Sequence, residues 1–309
     1  MTTPPEKTTI FVDASSLKKI ACGLRFYRNN LEGLKLKAIH NYKMAYGTAF
    51  HKFLQNYYNG ALAEDACIQI ALDYFTPHAT QLPEDAWHTG THLRKSLESY
   101  AQTYPRGGDG IEVAKDTEGK PKTECKFALP FWNNTTHQIV LSGTIDLDGT
   151  YYGTPCLIDH KTTSSLPQFS KSFFEGYDMD IQTMFYTWIA KTFLGHADWP
   201  AILINGIFLK RPTQKAAKLE IFDGVNLERS GLITYTDEQM KRFEGWLMRK
   251  LEEIKGMITQ TPQPEYSACK QSFGLCEYWK LCRASADLET DLKTMHYEKT
   301  SYNPLTFQD

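Results

Sequence analysis

Apolar residues recur every three or four positions in the first third of the chain, and beyond it they alternate with polar residues or run together in short blocks. The first pattern predicts helices and the second predicts strands. The predicted elements are, in chain order, helices at 14–30, 43–59, 61–76 and 84–104, strands at 122–131, 137–147 and 155–162, a helix at 176–194, strands at 201–210 and 217–223, and a helix at 237–260. This order predicts an α/β fold with a small mixed sheet flanked by helices and an N-terminal helical layer.

Two of the predicted strands each deliver an acid. The segments Leu141-Ser-Gly-Thr-Ile-Asp146 and Cys156-Leu-Ile-Asp159 are apolar and β-branched up to their carboxylates. Because side chains two residues apart in a strand point to the same face, Asp159 is expected to lie beside Lys161. A carboxylate that can bind a divalent cation, next to a lysine that can orient water, suits metal-assisted phosphodiester hydrolysis.

The position of the hairpin turn decides whether the two acids meet. A turn at Tyr152-Gly153 places Asp146 opposite Asp159, and Gly153 is a plausible turn residue. The rival turn at Asp148-Gly149 is a strong hairpin signal, but it pairs Asp146 with Tyr151 and leaves the acids about 25 Å apart. We predict the later turn and interpret Asp148-Gly149 as a bulge or bend. The alternative is two unrelated aspartates at strand ends.

Four further polar residues have both a functional and a structural interpretation. His51 lies in a predicted helix, where a lone histidine is more often structural than a ligand. Gln182 and Tyr186 are four apart in another helix, so they share a face, which the sheet could half-bury. Glu124 lies on the strand before that of Asp146. Each signal alone is weak.

Taken in order, these residues resemble the RecB-like branch of the PD-(D/E)XK nucleases. The matching motifs are Gly47-x3-His51, Glu124, Gly143-Thr-Ile-Asp146, Asp159-His-Lys161-Thr and Gln182-x3-Tyr186, over about residues 15 to 282. The resemblance implies a restriction-endonuclease-like core. His160 stands where the family often has tyrosine, and its side chain is expected to point away from the site.

The same resemblance implies roles for the matched residues. His51, Asp146 and Asp159 would hold one or two Mg²⁺ or Mn²⁺ ions, and Glu124 could join the metal shell. Lys161 would be catalytic, by positioning or deprotonating the attacking water. The two helix residues, Gln182 and Tyr186, would support the site and contact DNA.

The cysteines suggest a second metal centre. Of seven cysteines, three form the cluster Cys269-x6-Cys276-x5-Cys282. The N-terminus lacks the pattern of a signal peptide, and a cytosolic chain keeps its thiols reduced, so clustering indicates metal binding rather than disulfides. Four thiolates suit zinc or an iron–sulfur cluster, and partly buried free cysteines are the third possibility. Cys67, Cys125 and Cys156 lie on apolar patterns, so they are interpreted as packing residues and not as metal ligands.

A resemblance again supplies the fourth ligand. The segment around Cys22 is similar to the one that gives the first cluster cysteine in RecB-like nucleases with an iron–sulfur staple, the AddB and CRISPR adaptation nucleases. It implies a 4Fe-4S cluster held by Cys22, Cys269, Cys276 and Cys282, with zinc as the alternative. The first gap of the C-terminal trio is six residues, longer than the family's usual C-x2-C.

Composition fits one sizeable protein. The 309 residues are 41% hydrophobic and 13% aromatic, with no apolar run of the about 18 residues that a membrane span needs. Since a staple would join Cys22 to the C-terminal trio, we expect a single nuclease domain, 1–309, with a helical part at 14–110, a catalytic core at 120–225 and a C-terminal helix and cysteine cluster at 236–283. The polar tail after Cys282 is expected to be loosely ordered.

The net charge of −2 does not indicate nucleic-acid binding, although charge distribution matters more than the sum. A basic stretch from Lys18 to Lys43 could follow a DNA backbone or form a solvated helix face. No P-loop is present, so the chain has no motor of its own.

The sequence therefore predicts a metal-dependent DNA exonuclease, phage-encoded or bacterial and cytoplasmic, acting in recombination, repair or end processing. Its expected partners are single-stranded DNA or duplex ends, and a helicase or recombinase. The alternatives are a non-catalytic DNA-binding subunit of the same fold and a zinc-stapled interaction protein.

Overall fold

Helices and strands follow one another largely in the predicted order in the computed structural model, which describes residues 7–37, 41–80, 82–83, 86–164, 170–215, 221–271 and 274–306. The helices are α1 Ala14–Lys19, α2 Gly23–Phe26, α3 Tyr42–Asn59, α4 Glu64–Ala79, α5 Gly90–Thr103, α6 Ser170–Glu175, α7 Ile181–Phe193, α8 Asp237–Thr259, α9 Trp279–Arg283 and α10 Ala286–His296. The strands are β1 Thr8–Val12, β2 Leu34–Leu36, β3 Ile111–Val113, β4 Thr123–Asn133, β5 His137–Tyr151, β6 Thr154–Thr163, β7 Ala201–Leu209, β8 Val225–Arg229, β9 Lys270–Gln271, β10 Gly274–Leu275 and β11 Tyr297–Lys299.

The chain divides into two compact units, each assembled from separate segments. Unit 1 consists of Met1–Ile39, Lys126–Thr144 and Asp237–Asp309, and unit 2 consists of His40–Cys125 and Ile145–Thr236. The strands β4 and β5 each begin in one unit and end in the other. The expectation of a single nuclease domain stays a prediction.

Unit 2 is built on a mixed sheet. Its strand β5 pairs antiparallel with β3 and with β6. Strand β6 then pairs parallel with β7, and β7 pairs antiparallel with β8. A parallel neighbour requires a crossover, and α6 and α7 form it between β6 and β7. This sheet with its helices confirms the predicted α/β fold class.

One face of this sheet is covered by α3, α4 and α5. Their buried apolar side chains, such as Phe53 and Leu97, form one hydrophobic cluster with Ile158 of β6 and Leu203 of β7. Because successive strand residues point to opposite faces, the neighbours of Ile158 face the other way. That second face carries Asp159 and Lys161 of β6, and α7 packs against β7.

The hairpin between β5 and β6 has the predicted register. Leu147 pairs with Ile158 and Tyr151 pairs with Thr154, so extending the ladder by one pair places Asp146 opposite Asp159. The two turn residues, Tyr152 and Gly153, both have positive φ angles, 46° and 79°. Positive φ at both positions is the signature of a type I′ turn, whose twist matches that of paired strands.

The Asp148-Gly149 sequence is neither turn nor bulge, which corrects our interpretation of it. Both residues continue β5 in regular pairing, Gly149 with Cys156 on one side and with Val113 of β3 on the other. A Cβ atom at Gly149 would lie 2.1 Å from the carbonyl oxygen of Glu112. The glycine is therefore required by the close approach of β3 and not by a turn.

Unit 1 contains both chain ends and the first part of β5. Strand β1 pairs parallel with β5 from His137 onward, and β4 also pairs with β5. Near the C-terminus β11 pairs antiparallel with β2 and β9 with β10. A small apolar cluster of Leu34, Tyr278, Leu281 and Tyr297 lies around these strands. In the tail after Cys282, residues 286–299 form α10 and β11, which corrects the expectation of loose order for that part.

Several predicted elements have different bounds, among them the helix predicted at 84–104, which begins only at Gly90. The predicted helix 14–30 is broken at Cys22, whose backbone is extended, and Gly23 packs so tightly that a Cβ there would lie 3.1 Å from Met257 and Pro262. The predicted helix 176–194 starts only at Ile181, since Asp180 caps it. The strand predicted at 217–223 lies partly outside the described residues, and β8 follows it at Val225–Arg229.

Within the described part of the chain, none of the helices combines the length and the apolar character that crossing a membrane demands.

Gly149 tests the packing of this sheet. Changing Gly149 to Ala should lower the free energy of unfolding by about 1–3 kcal/mol, because the new methyl group collides with backbone that cannot move independently. Gly231, where an added Cβ meets nothing within 4 Å, is the matched control, and its change to Ala should stay within about 0.5 kcal/mol. Urea unfolding of both variants measures the difference. Equal stability of the two would show that β3 does not lie against β5 as described.

Candidate active site

The centre of the candidate site is the end of β6, where Asp159 and Lys161 lie on the same face of the sheet. The Lys161 Nζ lies 2.6 Å from Asp159 Oδ2, and the Asp159 side chain is only 8% exposed. Asp159 and Lys161 are therefore neighbours, as predicted. Burial by itself lowers the pKa of Lys161, but the carboxylates of Asp159 and Asp146 outweigh it and raise the pKa above its ordinary value.

Asp146 approaches the same strand from β5. The backbone N–H of His160 donates to Asp146 Oδ2 at 2.7 Å, which fixes the carboxylate at the end of the β5–β6 ladder. The hairpin register is the reason for this contact, since it places the two strands' acids opposite each other. A hydrogen bond from backbone to carboxylate is charge-assisted, so it holds the acid in one orientation.

His51 is brought to Asp146 by α3, and its Nδ1 lies 3.7 Å from Asp146 Oδ2. Gly47, one turn earlier, explains how the helix comes so close to β6. A Cβ at Gly47 would lie 2.9 Å from Thr162 Oγ1, closer than ordinary packing allows. The glycine of the Gly47-x3-His51 motif therefore serves the approach of α3 to the sheet.

His51, Glu124 and Asp146 form a possible metal site. Each offers one ligand atom, and these atoms all lie within 4.8 Å of one another. Glu124 has a φ of 50°, a left-handed backbone conformation that residues other than glycine rarely adopt. Backbone strain of this kind is typical of functional sites.

Asp159 is held differently from these three residues. Its Oδ2 contacts Lys161, and its Oδ1 accepts a hydrogen bond from Gln182 Nε2 at 3.1 Å. The structure thus places Asp159 in contact with the lysine and the glutamine. Its role as a further metal ligand stays a prediction.

Gln182 joins the carboxylate to the ammonium group. Its Oε1 accepts from Lys161 Nζ at 3.1 Å, while its amide donates to Asp159. Asp180 caps α7 by accepting from the Gln182 backbone N–H at 2.8 Å, so the residue sits in the first turn of the helix. One amide with a fixed donor and a fixed acceptor therefore orients both charged groups.

Tyr186 lies one turn further along α7 and is buried, 9% exposed, with its ring centroid 6.2 Å from that of Phe185. Its contribution to the site stays a prediction.

The His160 side chain points to the opposite face, as expected. Its Nδ1 accepts from Asn205 Nδ2 at 2.8 Å, and its ring stacks on that of Tyr58 at 5.8 Å. Burial lowers the pKa of His160 to about 3, so the imidazole is neutral near pH 7. His160 therefore packs on the face of β6 opposite to Asp159 and Lys161, and its contacts there stabilise the strand.

Several residues near the site were not predicted. Tyr177 lies with its ring centroid 5.9 Å from Lys161 Nζ, within the range of a cation–π contact. Asp148 Oδ2 binds both Lys122 and His196, at 2.9 and 3.1 Å. These residues belong to no motif, and only a known tertiary structure could have revealed them.

The four predicted cluster cysteines all belong to unit 1, and each makes a contact with a neighbouring residue. The Glu265 backbone N–H donates to Cys22 Sγ at 3.4 Å, and Arg28 donates to Cys282 Sγ at 3.4 Å. The Cys276 N–H donates to the carbonyl of Cys269 at 2.8 Å.

The thiols of this group affect one another. Burial raises the pKa of Cys282 above its ordinary value; Arg28 opposes this, and Cys22 and Cys269 add to it. Burial likewise raises the pKa of Cys276 to about 11, with Cys22 among the charges that contribute. Among the described residues, the side chains whose ligand atoms lie close enough together to share a metal are His51, Glu124 and Asp146. A joint metal role of the four cysteines therefore stays a prediction.

The site is thus a sheet of an α/β fold that presents two acids and a lysine at the end of two paired strands, beside a possible metal site. This arrangement defines the class of protein. The family model of the PD-(D/E)XK nuclease superfamily matches residues 14–283. The chain belongs to this superfamily of nucleases, whose members use divalent metals, and His51, Glu124 and Asp146 form a possible site for such an ion. No curated protein matches the chain in sequence.

The Gly47–Thr162 contact gives a test of the site. Changing Gly47 to Ala should weaken binding of Mn²⁺ by about tenfold, because the methyl group pushes α3 and His51 away from β6. Changing Thr162 to Ala in the same protein removes the colliding oxygen, so it should restore binding. Calorimetric titration of the single and double variants measures both effects. Failure of the second change to restore binding would mean that Gly47 acts otherwise.

Proposed function

We propose that this nuclease is a metal-dependent DNA exonuclease that acts in recombination, repair or end processing. The observation that carries the proposal is the metal group of His51, Glu124 and Asp146, whose ligand atoms lie within 4.8 Å of one another at the strand end that also presents Lys161. Phosphodiester hydrolysis needs a cation and an oriented water on one side of a phosphate, and this arrangement supplies groups for both.

The donor set fits Mg²⁺ or Mn²⁺. Two carboxylates and an imidazole are oxygen and nitrogen ligands, which suit these ions better than sulfur-seeking metals. When bound, such an ion polarises the phosphate and lowers the pKa of a bound water. The residues that would hold it are His51, Glu124 and Asp146. The resemblance to the RecB-like branch adds Asp159 as a further ligand.

The protein's own contribution is positioning and charge. The raised pKa of Lys161 keeps its ammonium protonated near pH 7. This favours a role in orienting water and stabilising negative charge on the phosphate over a role as a base. Gln182 keeps Lys161 in place through its hydrogen bond at 3.1 Å. Tyr186, on the same helix, supports this segment and contacts DNA in our proposal.

The finer features of the proposal rest on the resemblance to the RecB-like branch. They are the exonuclease mode, the use of single-stranded DNA or duplex ends, a bacterial or phage origin with action in the cytoplasm, and cooperation with a helicase or recombinase. The residue series His51, Asp146, Asp159 and Lys161 supports catalysis over a purely DNA-binding role, since binding alone does not need all four.

Cleavage assays test the active site. Changing Lys161 or Asp159 to Ala should lower cleavage of end-labelled DNA by about a hundredfold to a thousandfold, equivalent to about 3–4 kcal/mol of lost transition-state stabilisation. Lys171, whose side chain is 89% exposed, is the matched control, and Lys171→Ala should cleave like the unchanged protein.

The assay compares linear single-stranded, linear duplex and closed circular DNA, with and without Mn²⁺. An exonuclease degrades only the linear substrates. Cleavage of circular DNA would overturn the exonuclease mode, near-normal cleavage by both alanine variants would overturn the site, and tight DNA binding without any cleavage would identify a non-catalytic subunit.

We further propose that Cys22, Cys269, Cys276 and Cys282 hold a metal staple, a 4Fe-4S cluster rather than zinc. Two of the sulfurs accept N–H hydrogen bonds, from Glu265 and Arg28. Hydrogen bonds to cysteine sulfurs are among the interactions that tune iron–sulfur clusters. These two hydrogen bonds support the proposal.

A staple predicts coupled loss of metal and stability. Cys22 and Cys282 are 260 positions apart, so a shared metal closes nearly the whole chain, worth roughly 5–6 kcal/mol on the cross-link entropy model. Changing either to Ser should remove iron, bleach absorption near about 400 nm and lower the melting temperature together. Cys67, also buried, is the control, and Cys67→Ser should keep the metal.

Iron and zinc analysis of anaerobically purified protein decides between the metals. Zinc in place of iron would correct the cluster type, and full metal content in Cys22→Ser would exclude Cys22 as a ligand.

A further inference from the structure

The carboxylate of Asp148 is a buried junction two residues beyond Asp146. Its Oδ2 lies 2.9 Å from Lys122 Nζ and 3.1 Å from His196 Nε2, and its side chain is 7% exposed. The group is therefore a buried charge with two specific partners.

Lys122 is attached to Asp148 through its backbone as well as its side chain. The Asp148 N–H donates to the Lys122 carbonyl at 3.1 Å, and the Lys122 N–H donates to the carbonyl of Ala114 at 2.8 Å. The Ala114 N–H in turn donates to the Asp148 carbonyl at 2.9 Å. The segment that enters β4 is thus fixed to β5 at one residue.

Glu124 follows two residues after this attachment. Its φ of 50° is unfavourable for a residue with a Cβ atom, so surrounding contacts must impose it. Its carboxylate nonetheless lies within 4.8 Å of the ligand atoms of His51 and Asp146. Only one residue separates Lys122, which is attached to β5, from Glu124, which is strained. If Lys122 could move, the backbone of Glu124 could relax to a negative φ.

We infer that Asp148 is a positioning residue that acts through Lys122 to hold Glu124 in the metal site. His196 completes the junction from the segment after α7, the helix that carries Gln182. One buried carboxylate therefore connects the strand of Asp146, the segment of Glu124 and the end of α7. This inference rests on the proposed metal site of His51, Glu124 and Asp146.

Metal binding, rather than cleavage, is the direct measure of this role. Mn²⁺ titration of D148N and K122M by calorimetry should give dissociation constants about tenfold to a hundredfold higher than in the unchanged protein, the usual effect of losing a group that orients a ligand. Lys122 is 31% exposed, so K122M should fold even if D148N does not. The control is D223N, which removes an aspartate paired with Lys210 in the same unit and should bind Mn²⁺ normally.

A double-mutant cycle separates action through Glu124 from a general loss of structure. E124G removes the ligand and also relieves the positive φ. In the E124G protein, adding D148N should change Mn²⁺ affinity less than about twofold, because the residue on which it acts is gone. A full tenfold loss in that background would overturn the inference, since Asp148 would then act through Asp146 or through folding.

The same titrations distinguish a failure of the proposed metal site from a failure of the proposed role of Asp148. If the unchanged protein does not bind Mn²⁺, or D146A binds it equally well, the proposed metal site itself is wrong. If D146A abolishes binding while D148N and K122M, both folded by circular dichroism, bind normally, the metal site stands and the role of Asp148 is overturned.

Discussion

The pairing register of β5 and β6 is the constraint on which the site depends. A slip of one residue in a ladder moves every side chain to the other face, so it would separate Asp146 from Asp159 and turn Lys161 into the apolar core. The type I′ turn at Tyr152-Gly153 sets the register at one end. At the other end the His160 N–H bonds the Asp146 carboxylate at 2.7 Å. The arrangement of Asp146, Asp159 and Lys161 is therefore a property of one hairpin, and the helices add their side chains to it.

A buried polar network on the opposite face makes the position of β6 specific. Asn205 donates to His160 and to the hydroxyl of Tyr100, at 2.8 and 2.7 Å. Arg229 forms a buried ion pair with Asp109 at 2.6 Å, and the side chains are 5% and 0% exposed. Such pairs add little net stability, but an unpaired partner would be costly. An apolar face alone tolerates small shifts, whereas these bonds are satisfied only in one arrangement of β6 and β7.

The sequence predicted those parts of the site that local patterns determine. The apolar runs before Asp146 and Asp159 indicate strands, and the two-residue period places Lys161 beside Asp159; both are confirmed. The Asp148-Gly149 turn signal misled because Gly149 is needed for the approach of β3, a tertiary contact that no local pattern records. The same limit applies to the break of the first helix at Cys22 and to the Asp148 junction, whose partners lie 26 and 48 positions away.

The charges of the metal group explain why so much support surrounds it. Two carboxylates within 4.8 Å repel each other, and in a partly buried position water screens that repulsion poorly. Without restraint, Glu124 would turn away and relax its positive φ at the same time. The fold instead holds both acids on a rigid sheet, so the repulsion persists. Repulsion and backbone strain thus act in the same direction, since both make the arrangement costly on its own, and a cation bound between the two acids, as we propose, would relieve the electrostatic part directly.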